Sequence, residues 1–142
     1  MAPPVERVWI EKEDGKKRPR GKPCCEDKSV QRAVVMIFEA IFEPDFHAFS
    51  HGFRKGHSQH QALHELREQC RKLPITWRVD ADVRGFFDNL DWRHLRALIQ
   101  QRGRDGGILR LIGKWLHAGV LESGELSYPD KGTPQGGVVS PM

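Results

Sequence analysis

The alternation of apolar and polar positions is strictest from Ile75 to Asp82, in the stretch I-T-W-R-V-D-A-D. Ile75, Trp77, Val79 and Ala81 fall on one side, and Thr76, Arg78, Asp80 and Asp82 on the other. A period of two predicts a half-buried strand with two carboxylates at its C-terminal end. Gly85 breaks the pattern, and Phe86 and Phe87 follow at once. A carboxylate leaving a strand end beside packed aromatics suits a metal-and-substrate corner, but these residues alone favour a surface strand with solvated acids.

Elsewhere the pattern is mostly helical. Val30, Ala33, Val34, Ile37, Phe38 and Ile41 recur at helical spacing and predict a helix from Lys28 to about Phe46, capped by Asp27 and stopped near Pro44. Ser58-x-x-Gln61 is a capping-box pattern. It opens a second helix with Ala62, Leu63, Leu66 and Cys70 inward, ending before Pro74. Asp91 caps a third, with Trp92, Leu95, Leu98 and Ile99 inward, and Asp105 a fourth, with Ile108, Leu111, Ile112, Trp115 and Leu116 inward. Strands are predicted over Val5–Ile10 and in the run Val120–Leu126, with a turn at Glu13-Asp14-Gly15. The expected core comprises Val34, Ile37, Phe38, Ile41, Leu63, Leu66, Trp77, Val79, Leu95, Leu111, Ile112 and Leu116.

Length adds that 142 residues suffice for one domain with a core. No apolar run approaches the roughly 20 residues of a membrane span, and the first residues lack the pattern of a signal peptide. Cys24, Cys25 and Cys70 form neither a disulfide framework nor a C-x-x-C pair, so a reducing, cytoplasmic setting is expected. The net charge of +4 permits a polyanionic partner without requiring one. The basic residues cluster at Lys16-Lys17-Arg18-Pro19-Arg20-Gly21-Lys22, read as an extended loop that is either solvated or in contact with phosphates. A second loop, Phe49 to Ser58, carries two glycines with Arg54 and Lys55. His57, His60 and His64 have a spacing that can bind zinc, but H-Q-A-L-H lacks the glutamate of the metalloprotease motif. Lys131 to Met142 is glycine-rich around Gln135, which allows close backbone approach.

Five of these stretches, in this order, resemble a reverse transcriptase/maturase of the group II intron type. They are K-R-P-R-G-K-P at 17–23, E-D-K-S-V-Q-R-A-V at 26–34, H-G-F-R-K-G-H-S at 51–58, D-A-D-V-R-G-F-F-D-N-L-D at 80–91 and G-T-P-Q-G-G-V-V-S-P at 132–141. The chain departs from the family pattern at Arg20 and Lys22, usually hydrophobic, and at His51 and His57, usually tyrosine and arginine.

The resemblance implies an α+β fragment of a right-hand polymerase. Residues 1–74 would be fingers-like, and 75–142 a partial palm with a small, incomplete antiparallel sheet. It implies RNA-directed DNA polymerase chemistry with Mg²⁺ in a two-metal site. Asp82 would be the first catalytic carboxylate and, with the Val83 carbonyl, a metal ligand. Phe87 would be the gate against a ribose 2′-hydroxyl, and Gln135 would contact the incoming nucleotide. Lys17 and Arg18 would contact its phosphates, and Lys22, Arg54 and Lys55 the nucleic acid. Partners would be template or intron RNA, a DNA primer and dNTPs, with no membrane. The family's second catalytic motif, an aromatic-Ala-Asp-Asp turn, falls beyond Pro141, so the 142 residues alone are expected to be inactive. A non-catalytic RNA-binding remnant and an inert product are the rival readings.

Overall fold

The computed structural model describes residues 2–133 apart from 12 and 14. Its elements run β1 (Val5–Glu11), β2 (Lys17–Lys22), α1 (Cys25–Phe42), a 3-10 turn (Glu43–Asp45), α2 (Gln59–Lys72), α3 (Trp92–Gln100), α4 (Gly106–Leu116), β3 (Val120–Glu122) and β4 (Glu125–Ser127). The result is an α+β fold with a small mixed sheet, in the order β2-β1-β3-β4.

The basic segment expected as a loop is the edge strand β2. It pairs antiparallel with β1, from Glu6 opposite Lys22 to Glu11 opposite Lys17. Pro19 is tolerated because an edge strand need not donate on its open side. β1 also runs parallel to β3, Val5 opposite Val120, so the sheet is mixed rather than antiparallel. A two-residue turn joins β3 to β4, with φ +50° at Ser123 and +87° at Gly124, the paired positive φ of a type I′ hairpin.

The core lies between α1 and α4. Val34, Phe38 and Ile112 are buried together, with Ile41, Phe42, Ile99, Leu111 and Trp115 packed around them. Phe38 and Phe42 meet edge to face at 5.7 Å. The Trp115 indole N–H donates to Asp27 Oδ1 at 3.1 Å and locks the start of α1 to the end of α4. Asp27 is thus not the cap expected of it. The cap is Cys24, whose Sγ accepts from the Asp27 N–H at 3.4 Å, and the helix begins at Cys25 and ends at Phe42. Ser58, Asp91 and Asp105 cap α2, α3 and α4 as the sequence predicts.

Two further expectations fail. The stretch from Ile75 to Asp82 forms no strand, and Trp77 and Val79 are 87% and 91% exposed. An alternating segment becomes a strand only when a neighbour takes its backbone groups. Among the described residues none does. Helix α2 buries no residue, and Leu63 and Leu66 stay exposed, as does Ile37 on the outer side of α1. Periodicity defines an apolar face but not what covers it. Both the sheet and the core join residues from either side of position 74/75, through β1 with β3 and α1 with α4.

Candidate nucleotide and nucleic-acid site

Asp80 and Asp82 lie on the extended segment before a turn at 84–89, and both carboxylates face solvent. Asp80 stands 3.8 Å from Arg78, an exposed ion pair of little energetic worth. Val83 is exposed as well. The turn is built by Gly85 at φ +62°, whose carbonyl accepts from both the backbone N–H and the side-chain amide of Asn89, at 3.1 and 3.0 Å. That turn sets the half-buried Phe87 against Phe86, edge to face at 5.3 Å.

A second segment is stitched to this turn. The Thr133 N–H donates to the Phe87 carbonyl and the Gly132 N–H to the Leu90 carbonyl, each at 2.8 Å. The Trp92 indole donates to the Gly132 carbonyl at 2.6 Å, and Lys131 Nζ to Asn89 Oδ1 at 3.0 Å. Gly132 has φ +78°, and a Cβ there would sit 2.7 Å from the Asp88 carbonyl oxygen. Only glycine fits this approach without displacing backbone. The segment that leads into Gln135 thus starts beside Phe87, while Gln135 itself lies outside the described residues.

Asn89, Trp92, Lys131 and Gly132 are residues that sequence reasoning missed as parts of this corner. For Gly132 a signal was present, since a glycine-rich run signals close approach. What it approaches is the chain's own backbone. Asp91, at the foot of the turn, accepts the Arg93 N–H at 2.7 Å, and that bond holds its carboxyl below the usual carboxylate range.

The β2 residues divide between the two faces of the sheet. Lys17, Pro19 and Gly21 alternate with Arg18, Arg20 and Lys22. Pro19 and Gly21 line a shallow cleft of about 160 Å³ together with Arg7, Asp88, Trp115 and Lys131. Asp82 is not among its lining residues. On the other face Lys22 stands 3.8 Å from Glu6. Lys17 and Arg18, expected to act together, point to opposite faces of the strand.

The second basic loop is held from within. The Arg54 side chain is 9% exposed, and its Nη2 donates to Glu43 Oε1 at 2.7 Å. Its Nη1 donates to the carbonyls of His47 and Ser50 at 2.9 and 2.6 Å, and its guanidinium lies 5.1 Å from the Phe46 ring centroid. The bond from Arg54 lowers the Glu43 carboxyl below its ordinary value. In this conformation Arg54 shapes the loop, and Lys55 is its exposed neighbour.

Asp82 and the Val83 carbonyl are hard oxygen donors of the kind Mg²⁺ prefers. Among the described residues, however, no three His, Cys, Asp or Glu side chains stand together as a metal would need. One carboxylate and one carbonyl do not make a two-metal site. No helix among the described residues is long and apolar enough to cross a membrane.

Residues 10–142 match the family model for reverse transcriptase (RNA-dependent DNA polymerase), and the chain belongs to that family. It is 42% identical over 140 residues to the group II intron-encoded protein LtrA of Lactococcus lactis subsp. cremoris, which covers 98% of this chain and 23% of the relative. It is 37% identical to the protein YkfC of Escherichia coli strain K12, over 98% of this chain and 37% of that protein. An uncharacterized 91 kDa protein in the cob intron of Schizosaccharomyces pombe is 38% identical, over 98% of this chain and 17% of its own length. The chain thus spans well under half the length of each of these relatives.

Proposed function

We propose that this chain forms the fingers and the first part of the palm of a group II intron-type RNA-directed DNA polymerase. In this reading residues 1–74 are the fingers-like region and 75–142 the partial palm. Asp82, with the Val83 carbonyl, supplies one side of a Mg²⁺ site, and further carboxylates come from elsewhere in the working polymerase. Phe87 gates against a ribose 2′-hydroxyl, and Gln135 contacts the incoming dNTP. Lys17 and Arg18 serve its phosphates from the two faces of β2. Lys22 and Lys55 contact template, intron RNA or primer, and Arg54 holds Lys55 in position.

One observation carries the reading. The backbone bonds from Thr133 to the Phe87 carbonyl and from Gly132 to the Leu90 carbonyl join the gate candidate to the segment that leads into Gln135. A nucleotide pocket needs both held at fixed separation, because positioning supplies most of the catalysis in such transfers.

Primer extension on an RNA template with Mg²⁺ and dNTPs is the test. The 142 residues alone should give no extension, and a longer polypeptide that includes the downstream segment should extend the primer. In that longer protein Asp82→Ala should abolish extension, and Phe87→Ala should raise ribonucleotide incorporation. Full activity after Asp82→Ala would refute the assignment.

A further inference from the structure

Loop 46–58 holds two aromatic rings in solvent that neither the core nor the proposed nucleotide pocket uses. Phe49 is 74% exposed and Phe53 82%. Phe49 lies flat against His47, with ring centroids 5.0 Å apart and planes 8° apart, so one layer of a stack already exists. Its exposure leaves the rest of the ring open. Phe53 has φ +58°, a left-handed backbone that a bulky residue rarely adopts and that costs folding energy. Packing of the ring could offset that cost, yet the ring stands in water. Arg54 is what holds the loop in this shape. Its guanidinium takes the carbonyls of His47 and Ser50, which flank Phe49 in the chain, and it pairs with Glu43. Phe53 and Lys55 flank Arg54 itself, and both are exposed.

From Phe46 to Ser58 the chain carries Arg54 and Lys55 and no acid. Three acids that border the loop have partners: Glu43 with Arg54, Asp45 with Arg102 and Glu65 with His51. The loop thus displays rings and positive charge together. Single-stranded nucleic acid is held by that combination, with phosphates on the cations and bases stacked on the rings. A second copy docked through the same loop would set Lys55 against Lys55, which disfavours that occupant. We infer that Phe49 and Phe53 form a stacking platform for the unpaired bases of single-stranded RNA, with Lys55 beside them on a phosphate. Resting on the reading of this chain as an RNA-binding part of a reverse transcriptase, the platform adds ring contacts to it. Arg54 is a positioning residue, which fixes the loop and leaves the contact to its neighbours.

The test is titration of a labelled, unstructured oligouridylate with the full 142-residue chain, read by fluorescence anisotropy and by the phenylalanine ring protons in NMR spectra. The expected result is saturable binding, with the ring resonances of Phe49 and Phe53 moving upfield as bases stack on them. Phe49→Leu should weaken RNA binding about 5-fold or more and leave the affinity for inorganic polyphosphate, which has no bases, unchanged. Lys55→Gln should reduce the slope of log affinity against log salt by about 1. Phe53→Gly separates display from packing, because glycine accepts the positive φ. It should lower RNA affinity and leave the denaturation midpoint no lower. A lower midpoint with unchanged RNA affinity would make Phe53 a packing residue and overturn the inference. Ring resonances that stay in place on adding RNA would overturn it too, as would self-association that Phe49→Leu removes. The resonances belong to the unaltered chain, so they decide whether or not a variant folds. Primer extension by the longer polypeptide is a separate readout. Extension without ring contact refutes the platform alone, and ring contact without extension refutes the polymerase reading alone.

Discussion

Gly132 carries the tightest steric constraint in the candidate site. Its positive φ and the Asp88 carbonyl 2.7 Å from any Cβ leave no room for a side chain. Gly132→Ala should cost about 2 kcal/mol or more, through left-handed strain together with displaced backbone. Urea unfolding of the two proteins measures it. Glu43 gives a pH-dependent outcome. The Arg54 bond lowers its folded-state pKa, so its contribution is present above the unfolded-state value and is lost as pH falls through the folded one. Acidification through and below the ordinary glutamate range should therefore loosen loop 46–58. Amide exchange of that loop against pH should show the loss, and Glu43→Gln should remove the dependence.

At the scale of elements, α1 shows how a helix start is chosen. Asp27 has the better capping side chain, yet it sits in the first turn and accepts the indole proton of Trp115, while Cys24 caps with a long sulfur contact. Serine is a stronger cap than a thiol. Cys24→Ser should raise stability by about 0.5–1 kcal/mol, measured as a shift in denaturation midpoint. Trp115→Phe should cost about 1 kcal/mol, the typical worth of the lost hydrogen bond. The strand β2 was legible only in part. The Asp14-Gly15 turn signals a hairpin after β1, but the basic composition, Pro19 and Gly21 of its second arm read as a loop. If Lys22 meets phosphate, Lys22→Gln should reduce the slope of log affinity against log salt by about 1 for RNA binding.

At the scale of the whole molecule, the buried core among the described residues is small and their exposed apolar faces are large. Trp77, Val79, Leu63, Leu66 and Ile37 all carry apolar surface to solvent. Trp77→Ser and Val79→Ser should each change the stability of the 142-residue chain by less than about 0.5 kcal/mol, the range of surface substitutions. A larger loss in thermal or urea unfolding would mean that these side chains pack within the chain.

The sequence by itself determined the four helices, three of their caps, strand β1 and the strand and turn that open at Val120, because capping, turn chemistry and periodicity act over a few residues. It also determined the family, because five short motifs in order are a property of the chain itself. Burial was decided by the tertiary structure. Val34 and Phe38 are covered by α4, whereas Ile37 on the same helix is not, and periodicity cannot say which of two apolar faces finds a partner. The same holds for the 75–82 segment, whose alternation is real but whose backbone has no neighbouring strand to pair with among the described residues. Only the fold brings Gly132 to the backbone of Phe87 and Asp88, and His51 to His57 and Glu65. Such contacts depend on where the intervening chain turns, which no local pattern encodes.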